Sequence, residues 1–341
     1  LVLLSRIKLL QVQVCDATKA TYSTTDRLKK KSHNKHIKMK KLRFTLLLAI
    51  TMATITNAQE HRFDPPWNTP PKSAVPFTVA GVDNVPDLFG DINNPDLVVF
   101  FGGNQFMVLD DLTATFKKAY PAYQKVFVES LPPGILAKQI EGGSITIGNM
   151  RIDLKPDVYT AGKGRIDQTP QWFSRTEVYG KNRLAIMVQK GNPKNIKGLA
   201  DLARKDVRVS MPNPEWEGIG KRIEEAYVKA GGDNLKNAVM QTKVKDGSTY
   251  LTHIHHRQTP MRILYNQSDA APVWYTEAYY QKMIGHPVEM IEIPAKENVE
   301  ALSVAAMLKN APHQQAAKDF MDFLISPAGK AVYKKYGFII Q

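Results

Sequence analysis

The chain of 341 residues has a single cysteine, Cys15. An internal disulfide framework and a thiolate metal cluster are therefore both excluded, since each needs at least two thiols. Long hydrophobic runs are also missing: the most apolar stretch, Phe44–Ile55, is about a dozen residues, short of the roughly 20 a membrane-spanning helix needs. No His-Glu-x-x-His pair, nucleophile elbow or Ser-His-Asp spacing is present, so no enzyme class announces itself. An excess of one charge is missing as well, although the total of +14 suggests otherwise. Of 46 basic and 32 acidic residues, 12 and 2 fall within 1–58, which leaves 34 and 30, a net of +4. Such a balance is no footprint for nucleic acid or an anionic membrane.

The N-terminal residues explain the skew. Residues 1–38 show no periodic apolar pattern and read as a mis-called extension, with Met39 as the start. From there a basic segment, Met39–Arg43, precedes the apolar Phe44–Ile55 and the small-residue site Thr56-Asn57-Ala58. That order is a secretory signal peptide, 39–58, and it predicts export to the periplasm. No cysteine stands beside the cleavage site, so no lipid anchor is expected. Residues 59–76 hold Pro65, Pro66, Pro70, Pro71 and Pro76 and read as an extended arm.

Beyond the arm, short apolar runs alternate with amphipathic stretches, the signature of an α/β fold. Leu97–Phe101 predicts a strand, Phe106–Tyr120 a helix, Val126–Val128 a strand and Ile135–Ile140 a helix. Ile145–Leu154 predicts a hairpin insertion and Asp157–Thr160 a third strand. Strands at 183–188, 207–211, 271–275 and 288–293 alternate with helices at 196–204, 219–230, 259–266 and 277–283. Gln314–Leu324 is a clean amphipathic helix.

Four stretches carry a family resemblance: Phe101-Gly102-Gly103-Asn104-Gln105-Phe106, the segment Leu131–Ile140, Asn182–Val188, and Ala317–Lys330 with Tyr336-Gly337-Phe338. In this order they resemble the type 2 periplasmic solute-binding proteins of ABC importers, and within them the molybdate-binding branch. The resemblance implies two lobes, each a mixed sheet flanked by helices, hinged by two crossing strands. Lobe 1 would be 77–183 plus 291–341, and lobe 2 would be 184–290. It also implies a ligand in the interlobe cleft, an inner-membrane permease as partner, and a monomer. Molybdate binders place hydroxyl residues in the first two loops; here those loops read Gly-Gly-Asn-Gln and Pro-Pro-Gly-Ile.

Candidate ligand residues follow from strand ends, where loops meet helix N-termini. Gly103, Asn104 and Gln105 open one helix and Gly134 the next, each as a ligand loop or a plain turn. Glu215 and Trp216 precede a second-lobe helix: Trp216 could close over a ligand, while a glutamate there also suits a helix start. Thr252–Arg257 gathers His253, His255 and His256 beside Arg257. The three imidazoles suit a metal, whereas His255, His256 and Arg257 suit an anion. Trp274 and Tyr275 end a strand, and the family uses that end for a ligand-facing tyrosine; a core aromatic pair is the alternative. His286 and His313 stand alone and read as surface residues. The expected function is capture of a small molybdate-like oxyanion or metal species, without catalysis, with no cofactor beyond a metal bound as ligand and no nucleic acid. The rivals are a secreted metal-dependent hydrolase using the three histidines, and a non-transport sensor or scaffold.

Overall fold

The computed structural model describes residues 88–147, 150–215, 217–252 and 258–340. The expected signal segment, the arm at 59–76, Trp216 and the run His253–Arg257 lie outside the described residues. In chain order the strands are β1 (Leu88–Gly90), β2 (Leu97–Gly102), β3 (Val126–Leu131), β4 (Ile145–Ile147), β5 (Met150–Ile152), β6 (Val158–Gly162) and β7 (Phe173–Asn182). They continue with β8 (Leu184–Gln189), β9 (Val209–Met211), β10 (Thr249–Leu251), β11 (Ala270–Trp274), β12 (Val288–Glu292) and β13 (Ala301–Leu308). The principal helices are α1 (Leu109–Ala119), α2 (Pro133–Gly142), α3 (Gly218–Asn237), α4 (Gln258–Leu264), α5 (Tyr275–Met283), α6 (Gln314–Ile325) and α7 (Pro327–Lys335).

Two mixed sheets flanked by helices form the α/β architecture that the sequence predicts. The first runs β1-β3-β2-β6-β13-β7 and the second β10-β9-β11-β8-β12. β2 is Leu-Val-Val-Phe-Phe-Gly and is buried at every position, as a central parallel strand covered on both faces must be. It pairs in parallel with β3 from Leu97 opposite Val126, and with β6 from Val99 opposite Val158. Against this sheet α1 lays Leu109, Leu112 and Phe116, and α6 lays Ala317, Phe320, Met321 and Leu324. Phe116 meets Phe320 edge-on at 5.1 Å between centroids. Burying a side chain of this kind contributes about 1.5–3 kcal/mol. In the second sheet, β8 alternates its faces: Leu184, Ile186 and Val188 enter a core with Ile219, Ile223 and Tyr227, while Ala185 and Met187 face Ile263 and Val273. The β4–β5 pair is the expected hairpin insertion.

Some elements differ from expectation. Only a short 3-10 turn, Leu199–Ala203, stands where a helix over 196–204 is predicted. Local side-chain bonds replace a second helical turn there: Asp201 accepts from the Lys197 N–H at 2.6 Å, and Arg204 donates to the Lys194 carbonyl at 2.9 Å. The helix expected to end at Ala230 does break there, at Gly231 and Gly232 (φ +67°), before α3 resumes to Asn237. His313 is not an isolated surface residue. Asp157, fully buried, accepts from the Val98 N–H at 2.8 Å and the His313 N–H at 2.6 Å, and its other contact is His313 Nδ1 at 2.9 Å. A buried carboxylate needs such partners.

Two segments cross between the sheets. β7 passes into β8 through Asn182-Arg183-Leu184, and 293–300 returns the chain to β13. Asn298 stitches the crossings together. Its Oδ1 accepts from the Leu184 N–H at 2.9 Å, and its Nδ2 donates to the Leu184 carbonyl at 2.9 Å and the Ile293 carbonyl at 3.3 Å. Asn182 Nδ2 donates to Thr276 Oγ1 at 2.9 Å, tying the end of β7 to α5.

Candidate functional site

Strand direction decides where a ligand could sit. β2, β3, β6 and β7 end at the edge of the first sheet from which the chain crosses. β9, β10 and β11 are mutually parallel, and β11 and β12 run against β8, so all four end at the edge where β8 begins. Both carboxyl edges therefore lie on the hinge side, where α/β sheets bind ligands.

On the first sheet three loops converge. After β2, the Gly102 N–H donates to Thr160 Oγ1 at 3.1 Å, and a Cβ at Gly102 would stand 3.3 Å from Asn104 Oδ1 and 3.4 Å from Pro133 Cγ. The first two loops are thus in contact, and glycine is what lets them approach. Gly103 is buried, Asn104 half-buried, and Gln105 buried with its Nε2 donating to the Tyr179 hydroxyl. After β3, Pro133 and Gly134 open α2, and a Cβ at Gly134 would meet Arg165 Nη2 at 3.5 Å.

Arg165 comes from the turn after β6 and was not singled out by sequence reasoning. Its guanidinium donates to a neutral group, Gln168 Oε1, at 2.9 Å, so among the described residues no carboxylate takes up its charge. Tyr159 beneath it donates to the Pro133 carbonyl at 2.8 Å; burial pushes that phenol well up, and the Arg165 charge pulls against the shift. The available signal was Gly162-Lys163-Gly164-Arg165, a flexible basic segment directly after a strand.

The second sheet presents different groups. Glu215 is exposed in a turn closed by its N–H on Asn213 Oδ1 at 3.0 Å. That turn, Glu215 included, lines a surface cavity of about 710 Å³ together with Lys221, Glu224 and Val228, and among the described residues none of its lining comes from the first sheet. Trp274 is 8% exposed and sits in the second core. The half-buried ring of Tyr275 lies under the Arg183 guanidinium at 3.8 Å and stacks on Tyr279 at 5.9 Å. Arg183 is a second residue that sequence reasoning passed over. The hydroxyls at this edge are engaged locally: Ser210 Oγ donates to Thr259 Oγ1 at 3.4 Å, and Thr252 Oγ1 accepts from the Asn213 N–H at 3.2 Å. The residues His253, His255, His256 and Arg257 join the end of β10 to the start of α4 and lie outside the described residues, as does Trp216. Among the described residues no group of three or more His, Cys, Asp or Glu could hold a metal ion.

A family described as bacterial extracellular solute-binding protein matches residues 97–339. The thiosulfate-binding protein of Pseudomonas aeruginosa is 31% identical over 150 residues, which cover 40% of this chain and 44% of that one. The molybdate-binding protein ModA of Mycobacterium tuberculosis is 24% identical over 162 residues, covering 47% and 55%. The chain spans about half the length of these two relatives. The periplasmic molybdate-binding protein of Azotobacter vinelandii superposes with a TM-score of 0.60 at 17% identity, covering 72% of this chain and 99% of that chain, which shows the shared two-domain fold.

Proposed function

This chain belongs to the bacterial extracellular solute-binding proteins, and we propose that it captures a small oxyanion between its two sheets and delivers it to the permease of an ABC importer. The observation that carries this reading is the meeting of three carboxyl-edge loops at Gly102–Gln105, Pro132–Gly134 and Arg165. Backbone N–H groups at a helix start favour negative charge, and a guanidinium adds a donor that matches an oxyanion in geometry as well as charge. The similarity to thiosulfate- and molybdate-binding proteins supports the same ligand class. His255, His256 and Arg257, attached to the end of β10, would add donors from the second sheet. Export by the segment 39–58 to the periplasm, without a lipid anchor and as a monomer, completes the proposal.

Lobe closure about the two crossings would trap the ligand, and the permease would read the closed form. The test is a thermal-shift screen of the purified protein with molybdate, sulfate, thiosulfate, phosphate, and divalent and trivalent metal ions. At a hundred times Kd a ligand adds about 2.7 kcal/mol, a rise of about 4 °C for a chain of this size. No shift with any oxyanion refutes the reading. A shift with metal ions alone moves the cargo to the histidine run, and chelator-sensitive turnover of a substrate would replace the carrier with the hydrolase.

A further inference from the structure

Tyr179 is a titratable group that the binding site does not need for bulk. Its side chain is 1% exposed, in the strand that leads into the hinge. A phenylalanine would fill the same space without burying a hydroxyl, which costs free energy unless it is bonded. β7 pairs with β13 in a register that runs from Gly180 opposite Ser303 to Val178 opposite Val304, which leaves Tyr179 as the extra residue of a bulge. The alternation that turns Ser174, Thr176 and Val178 outward carries Tyr179 inward, and the bulge then shifts the faces so that Gly180 is buried beside it.

The hydroxyl so placed receives the Gln105 Nε2 hydrogen bond. Around it are the side chains of Thr160, Ser303 and Tyr333, with the Tyr333 ring at 4.9 Å between centroids. Thr160 in turn accepts from the Gly102 N–H. The two ends of the Gly102–Gln105 loop are therefore held by one buried cluster, the first residue through Thr160 and the last through Tyr179. Gln105 Oε1 has no partner among the described residues, so its bond to Tyr179 is the one that fixes the amide.

We propose that Tyr179 is a positioning residue for the ligand loop: its hydroxyl holds Gln105, and with it the backbone of Gly103 and Asn104, in the conformation that receives the oxyanion. The proposal rests on the carrier reading above. Because Tyr179 stands three residues before Asn182, the same bond ties the loop to the strand that must move when the lobes close.

The experiment compares Tyr179→Phe with Tyr227→Phe, since Tyr227 of α3 is an equally buried phenol in the second core whose hydroxyl has no partner among the described residues. Amide hydrogen exchange without ligand reads the loop, and titration with molybdate, sulfate, thiosulfate and phosphate reads binding. Tyr179→Phe should raise exchange across 103–106 about fivefold and weaken the best oxyanion by about the same factor, as expected for one lost buried hydrogen bond. Tyr227→Phe should change neither. Gln105→Met, which removes the other partner at equal volume, should reproduce the Tyr179→Phe pattern and stands in for it if that variant does not fold. A uniform rise in exchange over both sheets, or a loop as protected as in Tyr227→Phe, overturns the proposal. If wild type binds no oxyanion, the carrier reading falls, and Tyr179 is left holding a turn that is not a ligand loop.

Discussion

Gly337 offers a direct probe of how the two sheets are held on the hinge side. It follows α7, between Tyr336 and Phe338 of the first core, and has φ +86°. A Cβ there would lie 3.1 Å from a Tyr275 ring carbon and 3.3 Å from a Tyr279 ring carbon, both on the second sheet's helix α5. Gly337→Ala therefore has two consequences. The positive φ costs an L-residue about 1–2 kcal/mol. In addition, two stacked rings must shift by a few tenths of an ångström, and overpacking of this kind costs about 1–3 kcal/mol. Gly285 separates the two, because its φ is +85° and a Cβ there would meet nothing within 4 Å. Gly285→Ala should lose only the backbone part, and Gly337→Ala should lose about 1–3 kcal/mol more in urea unfolding. Tyr275 also donates its N–H to the Arg183 carbonyl at 2.7 Å, so a displaced ring disturbs the crossing itself. Small-angle scattering should then show a larger radius of gyration for Gly337→Ala and an unchanged one for Gly285→Ala. Equal destabilisation by the two substitutions, with unchanged scattering, would refute the claim that this contact sets the lobe geometry.

Three further outcomes are expected. Arg165→Gln should weaken the best-bound oxyanion about tenfold and reduce the salt dependence of binding, because one charged donor is lost; since the side chain is exposed, Tm should stay within about 1 °C. Unchanged affinity would remove Arg165 from the site. Asn298→Ala leaves the buried Leu184 N–H without its Asn298 partner, along with two carbonyls, and should cost about 3 kcal/mol by chemical denaturation; a loss below about 1 kcal/mol would mean that another group replaces it. Asp269 gives a pH signature. Burial pushes its carboxyl up, but hydrogen bonds from the Arg208 guanidinium and backbone N–H, with the charges of Arg208 and Lys194, hold it below the ordinary carboxylate value. Its contribution is thus present above the unfolded pKa and lost as pH falls through the lower folded value, below about pH 4. Asp269→Asn should lower the urea midpoint at pH 6 and flatten its decline towards pH 3, whereas a decline as steep as wild type would assign acid sensitivity elsewhere.

The parts of the fold that were legible in the sequence are those with one uninterrupted period. β2 shows as a continuous apolar run, and α1 and α6 show as 3.6-residue stripes that the structure buries on one face. β7 had no such signal. Its burial alternates down to Tyr179 and then breaks at Gly180, because the bulge inserts a residue and shifts the faces. A period-2 pattern cannot survive that, although it marks the stretch where the strand aims a side chain at the ligand loop. Charge was illegible for a different reason: an exposed arginine after a strand looks like any solvated charge, and only the approach of Arg165 to Gly134 distinguishes it.

The same comparison bears on the cargo. The first two loops contain no hydroxyl, and the hydroxyls found at the second sheet's edge, on Ser210, Thr252 and Thr259, already bond one another or the backbone. Thr252 and Thr259 only accept in those bonds and each keeps an O–H to donate, so neutral hydroxyl donors to an oxyanion would come from the second sheet and not from the first two loops. On the first sheet the proposed recognition falls to backbone N–H groups, to the amide of Asn104, and to a full positive charge at Arg165. A single guanidinium on the first sheet rewards a ligand whose negative charge is concentrated on a few oxygens at one end. On the first sheet a fully symmetric tetrahedral anion would gain less, because Arg165 reaches it from one side only. Small phosphorylated or carboxylated solutes should accordingly outcompete molybdate and inorganic phosphate in the same titration, and a clear preference for molybdate would show that the hydroxyl-poor loops bind through backbone donors alone.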